Sequence, residues 1–175
     1  VAFIPTLREK RGLTEAIKGG AAFMQYPPQT PIEEPEWIYV QTGLFHYPLL
    51  GDEKPGLLAS RCKGCGEHFF PKRLFCPKCF GKGEMENVTL DRRGFIYAST
   101  VVHIPPPIGL KAPYAYGYVE IPTNGIRVFA LFTGDDPHSF THGREVELVL
   151  EPLKIEGRKP KIIGYMFRPV SEGDL

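Results

Sequence analysis

Cys62, Cys65, Cys76 and Cys79 are all the thiols this chain has, and they fall in two Cys-x-x-Cys pairs with ten residues between them. No other feature restricts the fold as much. A tetrathiolate ion takes its ligands at the corners of a tetrahedron, and a Cys-x-x-Cys pair spans one edge from a tight turn. Gly66 directly follows the first pair and Gly81 lies just past the second; glycine accepts the positive φ that such turns need. The pattern predicts a zinc ribbon, two knuckles clamped on one ion by Cys62, Cys65, Cys76 and Cys79. Four thiolates close the zinc shell, so the expected role of the ion is structural. A rubredoxin-like iron centre uses the same ligands, and the sequence leaves that alternative open. Disulfides belong instead to small secreted domains, and a thioredoxin-type pair needs one motif beside a βαβ pattern that is not seen. His68 reads as a surface imidazole beside a filled site.

Beyond the ribbon the pattern is β. Residues 94–102, 114–121, 127–133, 145–150 and 161–168 are rich in aromatic and β-branched residues or alternate apolar with polar, which predicts five strands. Tyr114, Tyr116 and Tyr118 alternate toward one face, and Val146, Leu148 and Leu150 point inward. Thr123-Asn124-Gly125 carries a hairpin signal. Five strands with a longer link after the third predict a Greek-key barrel of the OB type. The connection 103–113 is stiffened by consecutive prolines; it reads either as a docking edge or as a cover for a barrel opening.

Upstream, Thr6 and Glu9 have capping-box spacing and predict a short helix toward Lys18. Prolines between Tyr26 and Pro35 exclude helix and central strand there. The large apolar residues from Phe3 to Tyr47 are too many to stay solvated; the arm either wraps its own domain or lies along another subunit, and the second is the expectation because so long an irregular arm rarely covers only a small domain. The expected fold is mainly β: an irregular, part-helical arm (1–57), a zinc ribbon (58–91) and a five-stranded OB-type barrel (92–175).

The net charge is +1, which gives no global pull toward nucleic acid or anionic membrane. Residues 92–175 carry ten bases and nine acids, so a basic groove for single-stranded nucleic acid is not indicated, although tyrosines on an OB barrel can stack bases. No apolar run approaches membrane-spanning length. The first residues lack the pattern of a signal peptide, and with reduced cysteines this points to the cytoplasm. No Gly-x-Ser-x-Gly, His-Glu-x-x-His or phosphate-loop pattern occurs.

The run from Arg61 through Phe70-Pro71-Lys72-Arg73 to Cys79, then Gly94-Phe95-Ile96-Tyr97, Thr100-Val101-Val102-His103 and Gly143-Arg144-Glu145-Val146-Glu147, resembles the domain-of-unknown-function-thirty-five family. The resemblance covers about residues 58–169. It implies a rubredoxin-like zinc ribbon joined to an OB-fold in a non-catalytic partner of acyl-CoA enzymes, commonly thiolases, with hydratases and condensing enzymes as alternatives. The aromatic arm is similar to that of thiolase small subunits acting on benzylsuccinyl-CoA-type esters in aromatic degradation. A thiolase needs a reactive cysteine; here the metal takes all four, so the nucleophile is expected on a partner chain. Coenzyme A carries three phosphates, which makes Lys72, Arg73, Arg92, Arg93, Arg158 and His103 candidates for CoA or partner contact. Two other classes compete with this expectation: a nucleic-acid-binding module, and a free-standing acyl-CoA carrier, for which five strands enclose little volume.

Overall fold

A computed structural model of the chain describes residues 36–47, 54–80 and 84–170, all within the unit Pro35–Leu175. The helix expected after Thr6, and the proline-rich arm to Pro35, lie outside the described residues. In chain order the strands are β1 (Trp37–Tyr39), β2 (Phe45–His46), β3 (Gly56–Cys62), β4 (His68–Phe69), β5 (Met85–Thr89), β6 (Arg93–Val102), β7 (Tyr114–Ile121), β8 (Ile126–Phe132), β9 (Glu145–Pro152) and β10 (Lys161–Pro169).

The last five strands close a barrel in the order β6-β7-β8-β10-β9, with β9 returning to β6. Closure runs through Arg93–Phe95 against Glu145–Glu147. Pairing is antiparallel except between β8 and β10, where Met166 and Phe167 lie parallel to Leu131 and Phe132. The mainly β class and the OB-type barrel therefore stand as expected. Side chains alternate with a period of two. On β7, Ala115, Val119 and Ile121 point into the core, while Tyr116 and Tyr118 face outward. Gly117 sits where β6 bulges between Ile96 and Ala98; a Cβ there would collide with the Ala98 carbonyl oxygen, so only glycine fits.

The β7–β8 turn differs from a two-residue hairpin. Pro122–Asn124 form one 3-10 turn, and Gly125 takes φ +62. Asn124 is used for a tertiary contact: its side-chain oxygen accepts from the Asp91 N–H at 2.8 Å, and the Thr123 hydroxyl donates to Asp91 at 3.1 Å. The turn thereby holds the junction where ribbon passes into barrel.

In the ribbon, β3 pairs antiparallel with β2, β4 and β5. Ribbon and barrel share one core: Leu44, Phe45, Leu57, Ala59 and Leu90 pack in the same apolar cluster as Ile96, Val119, Val146, Leu148 and Phe167. The described end of the expected arm is built into these sheets, with β1 running parallel along β10, Trp37 opposite Lys161. In the proline-rich connection 103–113, one residue covers the barrel and others stand outside. Leu110 is buried and bridges to Ile155, whereas Ile104 and Ile108 stand exposed.

Candidate metal centre and its surroundings

Cys62 closes β3, and the chain then turns tightly so that the Cys62 carbonyl accepts from the Gly66 N–H at 2.8 Å. Gly66 takes φ +76, the left-handed backbone expected of it. In the second knuckle the Cys79 N–H donates to Cys76 Sγ at 3.4 Å. The four Sγ atoms all lie within 4.8 Å of one another, and Cys62 and Cys76 are fully buried. Four sulfurs held tetrahedrally at about 2.3 Å from zinc would lie about 3.8 Å apart; Cys65 and Cys76 are 3.7 Å apart, too far for a disulfide. The donor set therefore fits a structural Zn²⁺ held by Cys62, Cys65, Cys76 and Cys79. His68, on β4, does not join that cluster.

Four thiols this close cannot all ionise in the absence of a cation. The backbone at Cys65, above all, draws the Cys62 thiol down to about 7. Hydrogen bonding with Cys65, followed by burial, pushes the Cys79 thiol up to about 12. A divalent ion removes the conflict by supplying positive charge at the centre. Outside the sulfurs, Lys63 meets Glu84 at 2.8 Å, Lys78 meets Glu67 at 2.6 Å and Arg61 meets Glu86 at 3.2 Å. These pairs are solvated and contribute little to stability.

The other candidate residues are not gathered into one site. Lys72 and Arg73 stand exposed on the ribbon; the Arg73 N–H donates to Ser60 Oγ at 2.9 Å, and its guanidinium lies 5.9 Å from the Phe69 ring centroid. Arg92 and Arg93 are at the start of the barrel, facing Glu147 at 3.8 Å and Glu145 at 3.9 Å. His103 lies past the other end of β6, about 30 Å away along an extended strand, with its ring 5.5 Å from that of His138. Arg158 is exposed in the β9–β10 connection. Tyr114, Tyr116 and Tyr118 do share the outer face of β7, where Tyr116 and Tyr118 flank Phe129 of β8 at 5.3 and 5.5 Å.

Two features were not foreseen. Glu147 is only 5% exposed, on the polar phase of β9, because Arg168 covers it with a 2.7 Å hydrogen bond from Nε and Arg92 approaches from the other side. Phe80 takes a positive φ of +51. Its position directly after a Cys-x-x-Cys pair, matching that of Gly66, was the available signal.

A tetrathiolate ribbon sharing its core with a closed five-stranded barrel defines a zinc-ribbon and OB-fold protein, an architecture that supports a non-catalytic, accessory role. The chain belongs to the ChsH2 family, also described as DUF35: residues 53–86 match the ChsH2 rubredoxin-like zinc ribbon domain, and residues 87–151 match the ChsH2 C-terminal OB-fold domain. It is 36% identical over 146 residues to the benzoylsuccinyl-CoA thiolase subunit BbsA of Thauera aromatica, covering 83% of this chain and 98% of that one. BbsA of Geobacter metallireducens is 34% identical, covering 82% and 94%. A DUF35 domain-containing scaffold protein of Methanocaldococcus jannaschii is 35% identical, covering 67% and 84%. Among solved structures, the Ltp2-ChsH2(DUF35) aldolase aligns with a TM-score of 0.52 and 28% identity, covering 65% of this chain and 84% of that one. No helix among the described residues is long and apolar enough to cross a membrane.

Proposed function

We propose that this chain is the zinc-binding accessory subunit of an acyl-CoA enzyme, with a thiolase as catalytic partner and a benzoylsuccinyl-type CoA ester as substrate of the complex. The observation that carries the proposal is the convergence of all four cysteines within 4.8 Å. Thiolysis requires a cysteine that the substrate can acylate, and a chain whose thiols are all metal ligands has none to offer. The two BbsA relatives, which this chain spans almost end to end, carry the name of a thiolase subunit. A benzoyl group supplies the ketone beside which a thiolase cleaves, so the acyl name agrees with the reaction.

Arg92 and Arg93 already face carboxylates, and we assign them the task of closing the barrel. Lys72 and Arg73 take the partner-contact role, and His103 is the barrel's candidate for CoA. Purification of the untagged native complex, identification of its companion and assay with benzoylsuccinyl-CoA plus free CoA test the reading. The complex is expected to turn over, while the isolated chain shows no turnover and little CoA affinity by calorimetry. Robust thiolysis by the isolated chain would overturn it. The alignment with an aldolase complex supports a second reading, an aldolase partner; the same purification separates the two by the companion's identity and by whether cleavage consumes CoA.

A further inference from the structure

The second knuckle of the ribbon carries a large side chain where the first carries none. Gly66 follows Cys65 at φ +76, and Phe80 follows Cys79 at φ +51. Both positions thus require left-handed backbone after a Cys-x-x-Cys turn. Glycine takes that conformation freely, whereas the Cβ of an L-residue crowds its own backbone there. Packing among the described residues does not compensate, because Phe80 is 90% exposed. Leu74 at 96% and Phe75 at 65% are exposed beside it in sequence. Three large apolar side chains stand exposed within seven residues of one loop pinned at Cys76 and Cys79, and exposed apolar surface gathered in this way marks interaction sites. Backbone strain retained at an exposed position points the same way.

The charge around these residues has one sign. From Phe69 to Gly83 the chain has Lys72, Arg73, Lys78 and Lys82 and no carboxylate. Lys78 is engaged by Glu67 at 2.6 Å, which leaves Lys72 and Arg73 to face outward.

We propose that this knuckle is a docking anchor, inserting Phe80, Phe75 and Leu74 into an apolar groove of a protein partner whose acidic side chains meet Lys72 and Arg73. The groove accounts for the exposed apolar surface, and acidic rims complement the cations. An anionic membrane would attract the same cations, but Lys78 is neutralised by Glu67 and adds no net charge to draw one. The inference rests on the proposed function only for the existence of a partner; it does not need that partner to be a thiolase.

Hydroxyl-radical footprinting of the native complex against the free full-length chain tests it. Phe75 and Phe80 are expected to be labelled freely in the free chain and strongly protected in the complex. Phe80→Gly should leave zinc content unchanged, leave the free chain's melting midpoint unchanged or raised, and weaken partner affinity about thirtyfold, the loss typical of a buried aromatic anchor. Lys72→Glu with Arg73→Glu should weaken it most at low salt. Protection by a companion that is not an acyl-CoA enzyme sustains the anchor and rejects the proposed function. An acyl-CoA enzyme as companion, with Phe75 and Phe80 still labelled, overturns the anchor and leaves that function standing. A native chain that purifies alone overturns the anchor. So does protection of the isolated chain, with no companion present, that fades on dilution, which means self-association, or binding to phosphatidylserine vesicles that Phe80→Gly abolishes.

Discussion

The ring of Phe70, in the ribbon, meets the ring of Tyr165, on β10 of the barrel, edge to face with centroids 5.5 Å apart. Phe45 of β2 reaches the same tyrosine at 6.4 Å. Both Phe70 and Tyr165 are half-buried against the common core. Phe70→Ala is expected to lower stability by about 2 kcal/mol, less than for a fully buried phenylalanine. A double-mutant cycle with Tyr165→Leu, read by urea unfolding, should return a coupling of about 1 kcal/mol. Additive single effects would mean that the rings merely adjoin.

The Tyr165 hydroxyl donates to the Phe129 carbonyl at 3.1 Å, and burial pushes its phenol above the ordinary tyrosine value. A group whose folded pKa is raised contributes stability that is fully present below the unfolded value, about 10 for tyrosine, and lost as pH rises through the folded one. The contribution of Tyr165 should therefore begin to fall only above about pH 10. An ultraviolet titration of tyrosinate should show a late-ionising component that disappears in Tyr165→Phe. If the variant's titration matches wild type, the assignment fails.

Metal analysis should find one zinc per chain, and Cys62→Ser should abolish it. Structural zinc in small finger peptides contributes about 10–16 kcal/mol of apparent folding free energy at neutral pH. Chelation should thus unfold the ribbon and, through the shared core, lower the melting midpoint of the barrel. A barrel midpoint indifferent to chelator would show that the two halves fold independently. Iron in place of zinc would appear as visible absorption.

Glu147→Gln removes the charge that Arg168 and Arg92 share. Breaking a fully buried ion pair costs about 3–5 kcal/mol. Because the Arg168 side chain is half-exposed, about 2 kcal/mol is expected here. Glu145→Gln, whose pair with Arg93 is half-solvated, should cost less than about 0.5 kcal/mol. Equal losses in the two variants would contradict the distinction.

The gathering of Cys62, Cys65, Cys76 and Cys79 was legible from residue spacing, because a tetrahedral ion imposes its geometry over two short turns, whereas spacing alone does not separate zinc from iron. The barrel strands were nearly as plain, since β7 and β9 write their inward faces every second residue. The ribbon's own strands were harder. β4 spans only His68–Phe69, and β5 (Met85–Thr89) has no apolar alternation to announce it. The short β1 and β2 fall within the stretch that the sequence marks as an irregular arm, because strands of three and two residues carry no measurable period.

Glu147 shows where local reading stops. By alternation it belonged outside, and only the arrival of Arg92 and Arg168 covers it. The Asn124-Gly125 signal correctly marked a turn but not its form, which is set by the contact with Asp91. Ligand chemistry, strand identity and the shortage of thiols for catalysis are written within windows of a few residues, where steric and coordination rules act locally. Barrel closure, the shared core and the charge cluster depend on residues as distant as Arg92 and Leu148, 56 positions apart. Such contacts form only when the whole chain buries its apolar surface at once, and so the tertiary structure alone decides them.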